Sequence, residues 1–253
     1  AHANYNRRQL WHSDLPAAYT KFPTQPGVPT QYLRFPEEMR EYMEIDGKMI
    51  EIVYEIVMGL YGQHAAGYEF GKGHAEWVKE NGGEQCHAEP GLFRFKCPDG
   101  DAVCASFVDD SMWSFSNEAI EARLKKAYIK RFGAEFAHLT RHLSIDYDQD
   151  LEHGKISFSQ TGYIEDIYER FMPELHELRK KPPSAPARKE LLALTAARSQ
   201  PGLPRATPEQ RRQIIALIGA LYYLGHSSRP DILMAVGKIA QHAKDPPAAI
   251  WDE

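Results

Sequence analysis

No apolar run in this sequence approaches the roughly 20 residues that a membrane-spanning helix requires. The longest, Ile214 to Leu224, contains Gly219 and closes at Gly225-His226, which suits a buried helix. Cysteine is scarce: Cys86, Cys97 and Cys104 are an odd number at wide spacing. A disulfide framework is therefore not expected, and a reducing compartment is. No Cys-x-x-Cys pair accompanies Cys86-His87, and no His-Glu-x-x-His occurs among the 11 histidines, so the familiar zinc motifs are missing. Gly71-Lys72-Gly73-His74 lacks the spacing of a phosphate loop. The opening residues Ala1-His2-Ala3-Asn4 run into polar Asn6-Arg7-Arg8 without the apolar core of a secretory signal. An intracellular location, cytoplasmic or nuclear, is the expectation, or organellar if the chain serves as a subunit there. An excess of basic residues is lacking too. Against 35 Asp and Glu stand 30 Lys and Arg, a net charge of −5 that argues against a broad nucleic-acid footprint.

What is present is an ordinary globular composition, 43% hydrophobic and 11% aromatic over 253 residues, enough to bury a core. Charge is distributed unevenly: Arg170 to Arg212 holds ten Lys or Arg against four Asp or Glu. Pro16, Pro23, Pro26, Pro29 and Pro36 break the first forty residues into loops and short strands. Alternation from Lys48 to Val57 predicts a strand or hairpin arm, and Ala65 to Lys79 a helix stopped by Asn81-Gly82-Gly83. Leu92 to Phe95 and Ala102 to Val108, joined through Pro98-Asp99-Gly100, predict a hairpin. A third β-prone run, Met112 to Phe115, leads to a helix capped by Ser116 or Asn117. Along that helix Ile120, Leu124, Tyr128 and Phe132 form one apolar stripe. A second hairpin is expected over His142 to Ser159, turning between Asp148 and Gly154. The order predicts an α+β fold, an antiparallel sheet with covering helices. Residues 181–207, rich in Pro, Ala and Arg, read as a linker between a domain at 1–180 and a helical segment at 208–253.

Two adjacent carboxylates, Asp109 and Asp110, lie between β-prone runs. Successive side chains on a strand point to opposite faces, so only a turn lets both approach one site. Carboxylate oxygens there suit Mg²⁺, which commonly takes its remaining ligands from water and phosphate. Acidic pairs are also common at solvent-exposed turns, and the dipeptide alone does not separate the two readings.

The flanking residues carry a family resemblance. Phe107-Val108-Asp109-Asp110 resembles the Tyr-x-Asp-Asp turn of reverse transcriptases, with flanks like those of the copia-type retrotransposon polymerases. Asp14-Leu15-Pro16-Ala17-Ala18-Tyr19 resembles that family's Asp-Val-Lys-x-Ala-Phe, and Leu60-Tyr61-Gly62 the start of its Leu-Tyr-Gly-Leu-Lys-Gln. Gly154 to Ile164 is similar to the family's Ile-x-Leu-Ser-Gln-x-x-Tyr-Ile run. Ile218 to Leu224, followed by Ser228-Arg229-Pro230-Asp231-Ile232 and Ala235-Val236, is the fullest match. Asp245-Pro246 with Trp251 resembles Asn-Pro-x-x-x-His-Trp, so the resemblance runs in order from Asp14 to Trp251.

The resemblance implies a reverse-transcriptase palm over residues 1–180, with partial fingers, and a helical thumb or connection segment over 208–253. It implies template-directed deoxynucleotidyl transfer on an RNA or DNA template-primer, with dNTP as substrate and Mg²⁺ as cofactor. Asp14 and Asp109 would hold the metals with Asp110 in support, and Tyr19 would screen the sugar 2′ position of the nucleotide. Several positions depart from the pattern. Ala65 stands where the family has Gln, Phe70 where it has Trp, and Pro16 follows Asp14 where a central strand would lose a ladder bond. Only thirteen residues precede Asp14, so most of the fingers is missing and the chain alone is expected not to polymerise unaided. The alternative is a domesticated relative that binds protein partners as a structural subunit of a larger assembly.

Overall fold

The computed structural model describes residues 7–23, 29–63, 65–171 and 204–248. The predicted linker lies mostly outside these residues, as does Trp251. The described chain runs β1 (Leu10–Asp14), a 3₁₀ turn at Ala18–Lys21, β2 (Tyr32–Leu33), a 3₁₀ turn at Glu37–Met39, β3 (Tyr42–Ile45), β4 (Lys48–Glu51) and β5 (Tyr54–Glu55). Then follow α1 (Ala66–Glu80), β6 (Gly83–Gln85), β7 (Leu92–Cys97), β8 (Gly100–Phe107), β9 (Asp110–Phe115) and α2 (Glu118–Phe132). The remainder is β10 (Glu135–His138), β11 (Arg141–His142), β12 (Ile145–Asp150), β13 (Lys155–Ser159), α3 (Thr161–Phe171), α4 (Pro208–Ser227) and α5 (Leu233–Ala240). The fold is α+β with antiparallel pairing throughout the main sheet.

Two compact units divide the chain: Ala1–Leu143 with Tyr147–Ser157, and Ser144–Asp146 with Phe158–Glu253. The first contains the main sheet, in the order β10-β1-β9-β8-β7-β6. Alternation decides its faces. Phe93, Phe95, Ala102, Cys104, Trp113 and Phe115 point inward, all at or below 5% exposure. Against them α2 lays Ile120, Leu124, Tyr128 and Phe132, and α1 lays Phe70, Trp77 and Val78. Burying one such side chain is worth about 1.5–3 kcal/mol before conformational entropy is subtracted.

The ends of the elements follow local chemistry. Asn117 caps α2, its side-chain oxygen accepting from the Ala119 and Ile120 amides, and Gly133 ends that helix with φ 68°. The β3–β4 hairpin closes on Asp46-Gly47, both with positive φ, the backbone of a type I′ turn. This arm carries Tyr42, Met43, Met49 and Ile50 exposed. Pro16 does not interrupt a ladder, because β1 ends two residues earlier at Asp14. The Leu15 amide already turns away to the Asp109 carbonyl at 2.9 Å.

In the second unit α4 begins at a capping box made by Thr207 and Gln210, with Pro208 at its first position. Ile214, Ile218 and Val236 form its small core. Gly225 lies under Leu233, which a β-carbon there would meet at 2.6 Å, so only glycine lets α5 approach. Helix α3 belongs here through the edge-on contact of Tyr163 with Tyr223, ring centroids 5.3 Å apart.

Candidate functional site

The sequence-predicted acidic residues come together at one end of the main sheet. Strand β1 lies between β9 and β10, and its last residue, Asp14, stands opposite Asp110 on one side and Glu135 on the other. Directly opposed residues in antiparallel strands present their side chains on the same face. Asp110, Asp14 and Glu135 therefore form a row of carboxylates across three strands. Like charges opposed in this way are destabilising on their own, and the three carboxylates do not draw within 4.8 Å of one another.

Asp109 lies next to this row, in the turn between β8 and β9. Phe107 pairs with Asp110, leaving Val108 and Asp109 as the two turn residues. Val108 has φ 56° whereas Asp109 stays out of the left-handed region, the pattern of a type II′ turn. That position ordinarily takes glycine, and a β-branched residue there is strained by about 1–3 kcal/mol. Strain of this kind is retained where surrounding contacts fix the backbone. Here Val108 packs against the main core and the Asp109 carbonyl accepts from the Leu15 amide.

Tyr19 lies in the 3₁₀ turn after β1, half-buried, with its ring edge-on to Tyr61 at 4.8 Å and to Phe70 at 6.3 Å. Gly59 allows the close backbone approach there, since a β-carbon on it would sit 2.5 Å from the Tyr19 carbonyl oxygen. Ala65 is the N-cap of α1 and offers no side-chain cap, so the amide expected from the family pattern has no substitute at that position.

A second group lies on the same outer face. His12, two residues before Asp14, places Nε2 2.8 Å from Asp110 Oδ1. His142 on β11 joins them, and one ligand atom from each of His12, Asp110 and His142 lies within 4.8 Å of the other two. Among the described residues this is the one group of three or more His, Cys, Asp or Glu so closely drawn together; Asp14, Asp109 and Asp110 do not form one. His142 is 6% exposed and its Nδ1 meets no hydrogen-bond partner. Burial holds the His142 imidazole below its ordinary pKa, partly offset by the Asp110 charge.

Sequence reasoning missed His12, His142 and Glu135. His12 could have been found from its two-residue offset from Asp14, which puts both on one face of a strand. Nothing local marks His142 or Glu135, because each reaches the site through a separate strand. The three cysteines are free, and burial raises the Cys104 thiol far above its usual pKa, leaving it an inert core residue. No family profile and no curated protein matches the chain.

Proposed function

We propose that this chain is the palm of a copia-type reverse transcriptase, built for template-directed deoxynucleotidyl transfer. The observation that carries the reading is the pairing of Asp14 with Asp110, with Asp109 tied beside them by the Leu15–Asp109 backbone bond. Hard carboxylate oxygens on one face suit Mg²⁺. Bound Mg²⁺ would supply charge neutralisation on the attacking and leaving oxygens of phosphoryl transfer. Asp14 and Asp109 are the residues that would hold it. Asp110 is engaged by His12 and so takes the lesser part. The half-buried ring of Tyr19, fixed by Tyr61 and Phe70, would fill the space a ribose 2′-hydroxyl needs. An RNA or DNA template-primer and dNTP are the partners this reading requires.

A second reading, a structural subunit that binds protein partners, is favoured by two observations. The three aspartates are not drawn into one mutual ligand group, and Ala65 supplies no amide near the place for an incoming nucleotide. Primer extension on an RNA template, with Mg²⁺ or Mn²⁺, separates the two. Extension that is abolished by Asp109→Asn and by Asp14→Asn is the expected result for a polymerase. No extension with either metal, the outcome expected of this chain unaided, puts the subunit reading ahead.

A further inference from the structure

We propose that His12, Asp110 and His142 form a binding site for a first-row transition-metal dication, Zn²⁺, separate from the all-carboxylate Mg²⁺ group. The site shares Asp110 with the polymerase reading but does not depend on it. Its donors are two imidazole nitrogens and one carboxylate oxygen, on β1, β9 and β11. Imidazole nitrogen selects zinc and its neighbours over Mg²⁺ and Ca²⁺, which take oxygen.

The geometry is close to what such an ion needs. In a tetrahedral site with bonds of about 2.0–2.1 Å, ligand atoms stand roughly 3.3 Å apart. Here His12 Nε2 and Asp110 Oδ1 are 2.8 Å apart, and all three ligand atoms lie within 4.8 Å of one another. The His12–Asp110 pair would open by about half an ångström and His142 would close by up to about 1.5 Å to complete the set. Three protein ligands leave a fourth position for water or another donor.

The second observation is the condition of His142. The residue is 6% exposed, and Nδ1 is buried without a hydrogen-bond partner. An unmade bond at a buried polar atom costs about 1–3 kcal/mol. A metal shared with the Asp110 carboxylate and the His12 imidazole would give this buried ring a partner. The two rings already meet edge-on, centroids 5.9 Å apart. His153 with Asp150 provides an internal contrast: a His–Asp pair of 2.7 Å that is exposed and has no third ligand.

The test uses the untagged full chain, stripped of metal and titrated with Zn²⁺ alone, then with Co²⁺ as a spectroscopic stand-in. One equivalent of Zn²⁺ is expected to bind, and Co²⁺ is expected to give the strong visible absorption of a four- or five-coordinate nitrogen–oxygen site. Millimolar Mg²⁺ should not displace either. His12→Gln and His142→Ala should each weaken Zn²⁺ binding by about 100-fold, whereas His153→Ala should leave it unchanged. Should His142→Ala fail to fold, the partly exposed His12→Gln decides. Wild-type binding no tighter than that of His12→Gln, or binding lost in His153→Ala, overturns the site and leaves a structural His–Asp pair. Asp14→Asn and Asp109→Asn should retain Zn²⁺ whether or not the wild type extends a primer, so failure here is distinct from failure of the polymerase reading.

Discussion

The indole Nε1 of Trp113 donates to Ser13 Oγ at 2.9 Å, and both residues are at or below 1% exposure. This bond lies on the inner face of the sheet, between β9 and β1, one residue from His12 and one from Asp14. Because side chains alternate, fixing Ser13 inward fixes His12 and Asp14 outward; a slip of one residue would bury both. Ser13→Ala leaves the indole N–H without its partner in a dry core. A loss of about 1–3 kcal/mol is expected, measured by urea unfolding, with the Trp fluorescence of the native state shifted as the indole environment changes. Unchanged stability would mean that the register is held elsewhere.

Two glycines in α1 should respond to the same substitution with opposite sign. A β-carbon at Gly71 meets nothing within 4 Å, whereas one at Gly73 would lie 2.2 Å from the Phe22 ring. Gly71→Ala should stabilise by up to about 1 kcal/mol through helix propensity. Gly73→Ala should destabilise by about 1–3 kcal/mol, since Phe22 is itself wedged among Phe70 and Phe132. Denaturant midpoints of the two variants check both signs at once.

His74 gives the fold a pH dependence. Only 1% exposed and bonded through Nε2 to the Tyr128 hydroxyl at 3.2 Å, it is pushed down to about 4 by burial. In the unfolded chain an imidazole titrates near 6.5, so between those values the unfolded state binds a proton that the folded state refuses. Stability from this group is therefore complete above about pH 6.5 and lost as pH falls toward 4. His142, also lowered by burial, acts in the same direction. Between pH 7 and 4.5 the His74 share is about 2 kcal/mol. Unfolding free energies of His74→Phe at the two pH values should differ from each other by that much less than those of the wild type.

Tyr19→Ala tests the nucleotide-discriminating role. On the polymerase reading, ribonucleotide incorporation should rise by tenfold or more, about 1.4 kcal/mol, while deoxynucleotide use falls less. Single-nucleotide extension with paired dNTP and rNTP measures the ratio. Equal loss for both would mark Tyr19 as packing for Tyr61 and Phe70 alone.

Much of the first unit was legible because its signals are local. The α2 stripe of Ile120, Leu124, Tyr128 and Phe132 is at or below 1% exposure throughout, as its spacing predicts. Asn117, not Ser116, proved to be the cap, since its longer side chain reaches the Ala119 and Ile120 amides. Helix α1 ends where Asn81-Gly82 requires. The Asp46-Gly47 turn between β3 and β4 is as local a signal as Pro98-Asp99-Gly100, but the alternation predicted only its return arm, from Lys48 onward.

By itself the sequence determined periodicities, caps and turns, because these depend on residues within a few positions of each other and on backbone stereochemistry. It also placed the Asp109-Asp110 pair at a turn, where the structure keeps Asp109 in the turn and makes Asp110 the first residue of β9. Only the tertiary structure decided what meets there. Pairing β1 between β9 and β10 set Asp14 opposite both Asp110 and Glu135, and it brought His12 to Asp110. Strand β11 then delivered His142 from 130 positions beyond His12. Strand neighbours are chosen by the burial of a whole face and by the ladder bonds of whole strands. No local pattern around a histidine or a glutamate records which strand will lie beside it.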